Sequence, residues 1–133
     1  MKVLVDTCVW SLSLRRKSDN KVKSVVAQLQ ELILESRVEI IGPIRQEILS
    51  GISDKENFNK LRQYLAAFND HIISREDYES AAEMYTLSRK KGIQGSNTDF
   101  LICAVAVNHK MSIFTTDNDF HHFAKILPII LFS

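Results

Sequence analysis

The chain opens with a short apolar run that stops at a charged residue. Residues 3–5 (VLV) are apolar, Asp6 follows them, and the next segment, TCVWSLSL, has apolar side chains at helical spacing. This pattern predicts a buried strand followed directly by a helix. A carboxylate at the end of a buried strand either caps the next helix or serves as a ligand, and the pattern leaves both interpretations open.

Helical and strand patterns continue to alternate after this start. Apolar residues recur at helical intervals between residues 22 and 33, and residues 38–42 (VEIIG) predict a second strand. Pro43 then stands where the first turn of a helix tolerates proline, with an apolar stripe behind it.

Serine residues mark the starts of the later helices. Ser53 and Glu56 have the spacing of a capping box, and Ser74 precedes a helix over about residues 75–91 that Gly92 ends. A further helix, NTDFLICAVAVNHK, begins after Ser96, and its nearly continuous apolarity predicts burial on several sides.

Three further apolar segments predict strands: residues 72–73, 111–115 and 127–132. Strands that alternate with helices are typical of a parallel sheet. We therefore predict one α/β domain, residues 1–133, with a central, mostly parallel sheet and helices on both faces.

Composition narrows the class of protein. A chain of 133 residues with 45% hydrophobic residues, 25% charged residues and a net charge of +1 is typical of one globular domain, so any polyanion would be held by local basic patches. No apolar stretch approaches the about 20 residues that span a bilayer, and we expect no signal sequence because Asp6 interrupts the first apolar run after three residues. We expect no membrane association and a cytoplasmic location. Cys8 and Cys103 are predicted to be reduced core residues.

Acidic residues follow the predicted strands at one edge of the sheet. In α/β sheets, ligands bind outside the carboxyl ends of the strands. Asp6 ends the first strand, Asp117 and Asp119 follow residues 111–115, and Asp99 and Glu47 lie in the first turns of their helices. Four or five carboxylates are therefore expected to converge.

Each acid also has a local explanation. Asp99 completes a capping box with Ser96, Glu47 is a solvated helix residue, and the two acids beside Asn118 are turn residues. Convergence, however, requires a cation, because two unit charges 4 Å apart repel by about 4 kcal/mol at an effective dielectric constant of 20. Oxygen ligands without a Cys or His pattern favour Mg²⁺ or Mn²⁺, ions that promote phosphodiester hydrolysis.

With these positions in order, the chain resembles the PIN-domain nucleases, and its length resembles that of VapC-type toxins. The segments that support the resemblance are VLVDT with Asp6, EILSG with Glu47, TDFLICAVAV with Asp99 and IFTTDNDF with Asp117. The resemblance covers essentially the whole chain. It implies an endoribonuclease that needs Mg²⁺ or Mn²⁺, cleaves single-stranded or looped RNA, and is the toxin of a type II toxin–antitoxin pair.

The resemblance also implies roles for individual residues. Asp6, Asp99 and Asp117 would be the principal metal ligands, and Glu47 would bind metal through water or position the attacking water. Thr115 would support the site, with Thr7 as a weaker candidate and Asp119 in an undefined supporting part. Relatives commonly have alanine where this chain has Cys103, which we interpret as a packing substitution.

The family implies partners as well: a homodimer, and an antitoxin whose C-terminal segment occupies the active-site groove. RNA phosphates would be held by basic side chains. Candidates are a first cluster, Arg15, Arg16 and Lys17 with Lys21 and Lys23, and a second cluster, residues 89–91, although both have solvated surface as their alternative.

Aromatic and imidazole side chains leave further alternatives. Trp10 and Phe120 either stack RNA bases or, as we favour, pack in the core. His121 and His122 are interpreted as surface residues or RNA contacts, since no second pair stands at metal-ligand spacing.

Rival functions are weighed against the nuclease hypothesis. A non-catalytic module of the same fold would use the acids as caps and act through partner recognition. A receiver-type phospho-acceptor domain needs an acidic pair after its first strand, whereas Asp6 stands alone. A haloacid-type phosphatase needs Asp-x-Asp there, and the segment DTC lacks the second acid.

Overall fold

The computed structural model describes residues 1–14 and 19–133. In these residues three strands and seven helices follow one another along the chain. They are β1 (Val3–Val5), α1 (Thr7–Ser13), α2 (Asn20–Leu34), β2 (Val38–Glu39), α3 (Gly42–Leu49), α4 (Lys55–Leu65), α5 (Arg75–Lys90), α6 (Asn97–Asn108), β3 (Ser112–Phe114) and α7 (Asp119–Phe123).

The sheet is parallel, with the strand order β2-β1-β3. Val3 pairs with Val38 on one side and with Ser112 on the other, so β1 is the central strand. The chain therefore crosses from β1 toward one edge and later returns to the opposite edge. Right-handed crossovers in opposite directions place the intervening helices on opposite faces, and the predicted α/β architecture is confirmed. The strand order reverses at β1, which makes its carboxyl end the switch point where ligands bind in such sheets.

Two isolated bridges extend the three-stranded sheet. Asp70 pairs with Ile40, and Leu131 pairs with Ile113, both in parallel orientation. The prediction of a strand at residues 72–73 was wrong, since Ile72 is 85% exposed and packs against no sheet. In the last segment, Pro128 supplies no N–H group, and only Leu131 forms a bridge.

Helix starts follow their local sequence closely. Ser74 and Asp77 form a capping box at α5, and Ser96 and Asp99 form one at α6, as predicted. The capping box at Ser53 was wrong, because the cap of α4 is the next residue, Asp54, whose carboxylate accepts the N–H of Asn57. The short helix α7 was not predicted.

The core surrounds the sheet and the apolar helix α6. Trp10 is fully buried and packs edge-on against Phe68, with ring centroids 5.2 Å apart. Phe120 is also fully buried and packs against Phe123 at 5.1 Å. Both rings are core residues, so the base-stacking alternative for Trp10 and Phe120 was wrong.

No helix in the described ranges is long and apolar enough to cross a bilayer.

Candidate active site

Asp6 is held at the carboxyl end of the central strand by bonds to its backbone and its side chain. Its N–H donates to the carbonyl of Phe114 on β3 at 2.9 Å. Its Oδ1 accepts the N–H of Thr7 at 2.8 Å, and its Oδ2 accepts the hydroxyl of Thr115 at 2.8 Å. Asp6 is the N-cap of α1 and is only 8% exposed. The capping interpretation is therefore correct, and it places the carboxylate at the switch point.

Thr115 connects Asp6 to the second acidic segment. Its Oγ1 donates to the Asp6 carboxylate and accepts the N–H of Asp117 at 3.0 Å. The Oδ1 atom of Asp117 accepts the N–H of Asp119 at 2.9 Å, which is the predicted turn interaction. One hydroxyl thus fixes the Asp117 backbone relative to the Asp6 side chain, while Asp119 lies exposed at the start of α7.

Asp99 reaches the same region from the start of α6. Its Oδ2 accepts the N–H of Ser96 at 3.0 Å, and the Ser96 hydroxyl accepts the N–H of Asp99 at 3.1 Å. The local capping role is therefore present. It holds the carboxylate in the first turn of the helix, where the positive end of the helix dipole favours negative charge.

Glu47 is exposed on α3, a helix that Arg45 anchors. The Arg45 guanidinium donates to Asp70 Oδ1 at 2.9 Å, to the carbonyl of Leu65 at 2.9 Å and to the carbonyl of Phe68. These bonds join α3 to the end of α4 and the turn that follows. The position of Glu47 is thereby fixed by the arginine two residues before it.

The pKa values indicate that three of the acids lie within electrostatic range of one another. Burial raises the pKa of Asp6, and the charge of Asp99 adds to the effect, against hydrogen bonds from Thr115, Thr7 and Cys8. Glu47 is exposed as a residue, but partial burial of its carboxylate raises its pKa, and the charges of Asp6 and Asp99 add to this shift. The structure therefore brings Asp6, Glu47 and Asp99 together, and Thr115 links them to Asp117.

Basic side chains do not neutralise these acids in the described part of the chain. The ion pairs there are Arg37–Glu35, Arg45–Asp70, Lys60–Glu56 and His109–Asp77, and none of them includes a site carboxylate. A folded protein that gathers carboxylates without a cationic partner favours an external cation.

The described residues do not, however, include a preformed metal site in which side chains supply all the ligands. Within residues 1–14 and 19–133, no three His, Cys, Asp or Glu side chains are arranged to hold an ion directly. Mg²⁺ keeps several waters and is usually bound through one or two carboxylates. The local hydrogen bonds occupy only Oδ2 of Asp99 and Oδ1 of Asp117, so each carboxylate retains one oxygen without a protein donor in the described ranges. This donor set fits a hydrated Mg²⁺ or Mn²⁺ ion.

Other predicted residues lie outside this cluster or outside the described ranges. Arg15, Arg16 and Lys17 are not among the described residues. The second basic cluster, residues 89–91, lies exposed at the end of α5, where Arg89 lies 5.5 Å from the ring centre of Tyr85. His121 and His122 are exposed on α7.

The two cysteines differ. Cys103 is fully buried, and its thiol has a raised pKa through burial and then the charges of Asp99 and Asp6. Cys8 is only partly buried, and its sulfur contacts Asp6 and Thr115. Both cysteines are free, as predicted, and Cys8 packs against the core, but it is only partly buried and its surroundings include polar groups of the acidic site. Its position two residues after Asp6, in the first turn of the following helix, is a sequence signal for the contact with Asp6 alone.

Comparison with solved structures gives full-length similarity to chains from three bacteria. FitAcB from Neisseria gonorrhoeae matches with 23% identity and a TM-score of 0.79, covering 98% of this chain and 96% of the other. VapBC2 from Rickettsia felis, solved bound to a DNA fragment from its promoter, matches with 20% identity and a TM-score of 0.79, covering 99% and 98%. VapBC-5 from Mycobacterium tuberculosis, a member of the VapBC family of toxin–antitoxin systems, matches with 15% identity and a TM-score of 0.69, covering 99% and 100%.

At these identities the structural similarity defines the fold alone. No curated protein has a significantly similar sequence. The family model of the PIN domain matches residues 3–126, a range that includes Asp6, Glu47, Asp99 and Asp117, and the chain therefore belongs to the PIN domain family.

Proposed function

We propose that this chain is a Mg²⁺- or Mn²⁺-dependent endoribonuclease and the toxin component of a type II toxin–antitoxin pair. The observation on which the proposal depends is the group of carboxylates at the switch point. Burial raises the pKa values of Asp6 and Glu47, the charge of Asp99 adds to both shifts, and no ion pair of the described ranges includes a site carboxylate. A PIN domain with such a cluster suits metal-assisted hydrolysis of a phosphodiester.

The carboxylates would have different roles in the reaction. Asp6, Asp99 and Asp117 would hold one or two ions through their oxygens, with Asp6 oriented by Thr7 and Thr115. When bound, such an ion polarises a phosphoryl oxygen and lowers the pKa of a coordinated water. Glu47, whose own pKa is raised by burial and by its acidic neighbours, would position the attacking water and accept its proton at a carboxylate oxygen. Asp119 would support the turn that presents Asp117.

The substrate would be RNA, held through its phosphates by exposed basic residues. Arg15, Arg16 and Lys17 remain candidates from the sequence, and residues 89–91 lie exposed at the end of α5.

An antitoxin partner and a homodimer belong to the same proposal. The similar chains were solved as VapBC and FitAcB assemblies, one of them described as a toxin–antitoxin system. This chain exposes apolar side chains around a groove between the ends of α1 and α4, with Leu14 47% and Tyr64 44% exposed. We propose that the antitoxin covers this groove and reaches the acidic site. Light scattering on the purified chain measures the oligomeric state. A cytoplasmic location stays a prediction.

RNA cleavage with matched metal controls tests the enzymatic part. The purified chain should cut single-stranded RNA with Mg²⁺ or Mn²⁺ and stop in EDTA, and Asp6→Asn or Asp99→Asn should abolish cutting. Asp54→Asn is the matched control, since it removes one exposed carboxylate at another helix cap. Cleavage that persists in EDTA would refute the metal-dependent mechanism.

A calorimetric titration with Mn²⁺ separates the nuclease from the non-catalytic module. The nuclease hypothesis predicts binding that Asp6→Asn and Asp99→Asn weaken and Asp54→Asn leaves intact. The module hypothesis predicts no binding and a loss of stability in Asp99→Asn, because its carboxylate would serve only as a helix cap.

A further inference from the structure

Cys8 contacts two separate parts of the acidic site through its sulfur atom. Its Sγ lies 3.5 Å from Oδ2 of Asp6 and 3.4 Å from Oγ1 of Thr115, and it accepts the N–H of Thr116 at 3.3 Å. We propose that Cys8 is a positioning residue, whose thiol joins the Asp6 carboxylate to the segment after β3 and fixes the metal-binding geometry. The inference rests on the proposed function, because it concerns the same ion site.

The protons of the cluster can be assigned consistently. The Thr115 hydroxyl has one proton and donates it to Asp6 Oδ2, so its oxygen is free to accept the N–H of Asp117. The thiol of Cys8 also has one proton, which either Asp6 Oδ2 or Thr115 Oγ1 receives. In the first arrangement Cys8 donates directly to Asp6 Oδ2. In the second it donates to Thr115, which itself donates to Asp6 Oδ2. The sulfur meanwhile accepts the N–H of Thr116, which ties the residue before Asp117 to α1.

These contacts are specific to this cysteine. Cys103 is fully buried in α6, and the hydrogen bonds of the described residues include none from its side chain to an acid. The hydroxyl of Thr7, also next to Asp6, is buried and has no partner in the described ranges. Proximity to Asp6 therefore does not by itself produce such contacts, whereas the Cys8 sulfur lies within hydrogen-bond distance of three groups, donating to one of two oxygens and accepting the N–H of Thr116.

The physical role of such a contact is to restrict a ligand. Residues that orient metal ligands through hydrogen bonds typically contribute 10- to 100-fold to metal affinity or activity. A thiol is a weak donor, so we expect the lower end of that range. Cys8→Ala should weaken Mn²⁺ binding roughly 10-fold and lower kcat by a similar factor, while the KM for RNA should change little because the substitution removes no positively charged side chain.

The test compares four variants with the wild type: Cys8→Ala, Cys8→Ser, Cys8→Val and, as the matched control, Ser11→Ala. Ser11 lies on the same helix, and its side chain makes no hydrogen bond in the described ranges. Serine retains a donor and should restore most of the Mn²⁺ affinity and kcat. Valine fills the volume of the sulfur without a donor, so it repeats the alanine test if that variant fails to fold. Mn²⁺ binding is measured by calorimetry, kcat and KM by RNA cleavage, and folding by thermal unfolding in EDTA.

The outcomes separate positioning from packing. Loss of Mn²⁺ affinity in the alanine or valine variant, with recovery in serine and no change in Ser11→Ala, supports the proposal. Equal Mn²⁺ affinity in all folded variants, whatever their melting temperatures, overturns it and leaves the nuclease function intact.

Failure of the proposed function gives a different result, since the wild type would then neither bind Mn²⁺ nor cut RNA. In that case a double-mutant cycle tests the contact. The melting temperature in EDTA is measured for the wild type, Cys8→Ala, Thr115→Val and the double variant. Additive shifts overturn the positioning role, whereas a shared, non-additive shift supports the link between α1 and the segment after β3.

Discussion

Asp77→Asn should lower the free energy of unfolding because it removes a buried negative charge from a set of donors. Asp77 is 1% exposed at the start of α5. Its carboxylate accepts the N–H of Ser74 at 3.0 Å, the amide of Asn108 at 2.9 Å and the Nε2 of His109 at 3.0 Å. An asparagine side chain has one oxygen, so its own NH₂ group would face one of these donors.

The pKa of Asp77 gives the magnitude. Burial alone would raise it, but the hydrogen bonds from Ser74, Asn108 and His109, with the charge of His109, lower it from 3.8 to about 2. At about 1.4 kcal/mol for each pKa unit, the fold favours the ionised form by roughly 2 kcal/mol. Because the folded pKa is depressed, this stabilisation is complete above the unfolded value of 3.8 and disappears as the pH falls through about 2.

Urea unfolding at several pH values measures the effect. At pH 7, Asp77→Asn should lose roughly 2 kcal/mol relative to the wild type, and the difference should shrink between pH 5 and pH 2 as Asp77 itself becomes protonated. Contributions from Asp6 and Glu47 are common to both proteins and cancel. Asp54→Asn serves as the control and should change stability by only a few tenths of a kcal/mol, since asparagine caps helices about as well as aspartate. A difference that does not vary with pH would refute the role of the Asp77 charge.

Three further substitutions test separate parts of the structure. Ser88→Ala should raise the free energy of unfolding by about 1 kcal/mol, because the buried Ser88 hydroxyl has no hydrogen-bond partner in the described ranges. A lower free energy of unfolding in urea would contradict this and indicate that the hydroxyl forms a hydrogen bond. Gly95→Ala should cost about 1–3 kcal/mol, because its Cβ would lie 2.6 Å from Phe123 Cζ and 3.0 Å from the Phe100 ring, and an unchanged melting temperature would contradict this contact. Asp6→Asn should abolish Mn²⁺ binding and raise the melting temperature in EDTA. The stability gain is expected because the pKa of Asp6 is raised in the folded state, so the ionised carboxylate destabilises the fold at pH values above the unfolded pKa. Equal or lower stability in EDTA would refute that assignment.

The parts of the fold that depend on local interactions could be predicted from sequence. Ser74 and Ser96 cap their helices through residues three positions later, and the spacing alone reveals both. The failure at Ser53 is equally local, since Asp54 competes for the same position and caps the helix.

The edges of the sheet depend instead on tertiary burial. Ile72 has the side chain of a strand residue but lies on the surface, and Leu131 forms one bridge to Ile113. An apolar run of two residues gives no indication of whether another element will cover it, so the sequence could not separate a strand from a single bridge.

The candidate site likewise has features that the sequence predicts and contacts that depend on the tertiary structure. The position of each acid after a strand or at a helix start was visible in the sequence, and the structure places Asp6, Glu47 and Asp99 within electrostatic range. The contact between Cys8 and Thr115 was not visible, because the two residues are 107 positions apart. Only the pairing of β1 with β3 brings the start of α1 next to the segment that follows β3.

Capping and metal binding, which the sequence presented as alternatives, are compatible in this structure. The cap at Asp99 uses Oδ2, and the turn at Asp117 uses Oδ1, so each side chain is fixed through one oxygen. A carboxylate held in this way loses less conformational freedom when its second oxygen binds an ion, because local bonds have already restricted it. Asp6 is restricted more strongly, since both of its oxygens accept hydrogen bonds. The local bonds therefore counteract the repulsion among the acids and keep the proposed ligands in place before an ion arrives.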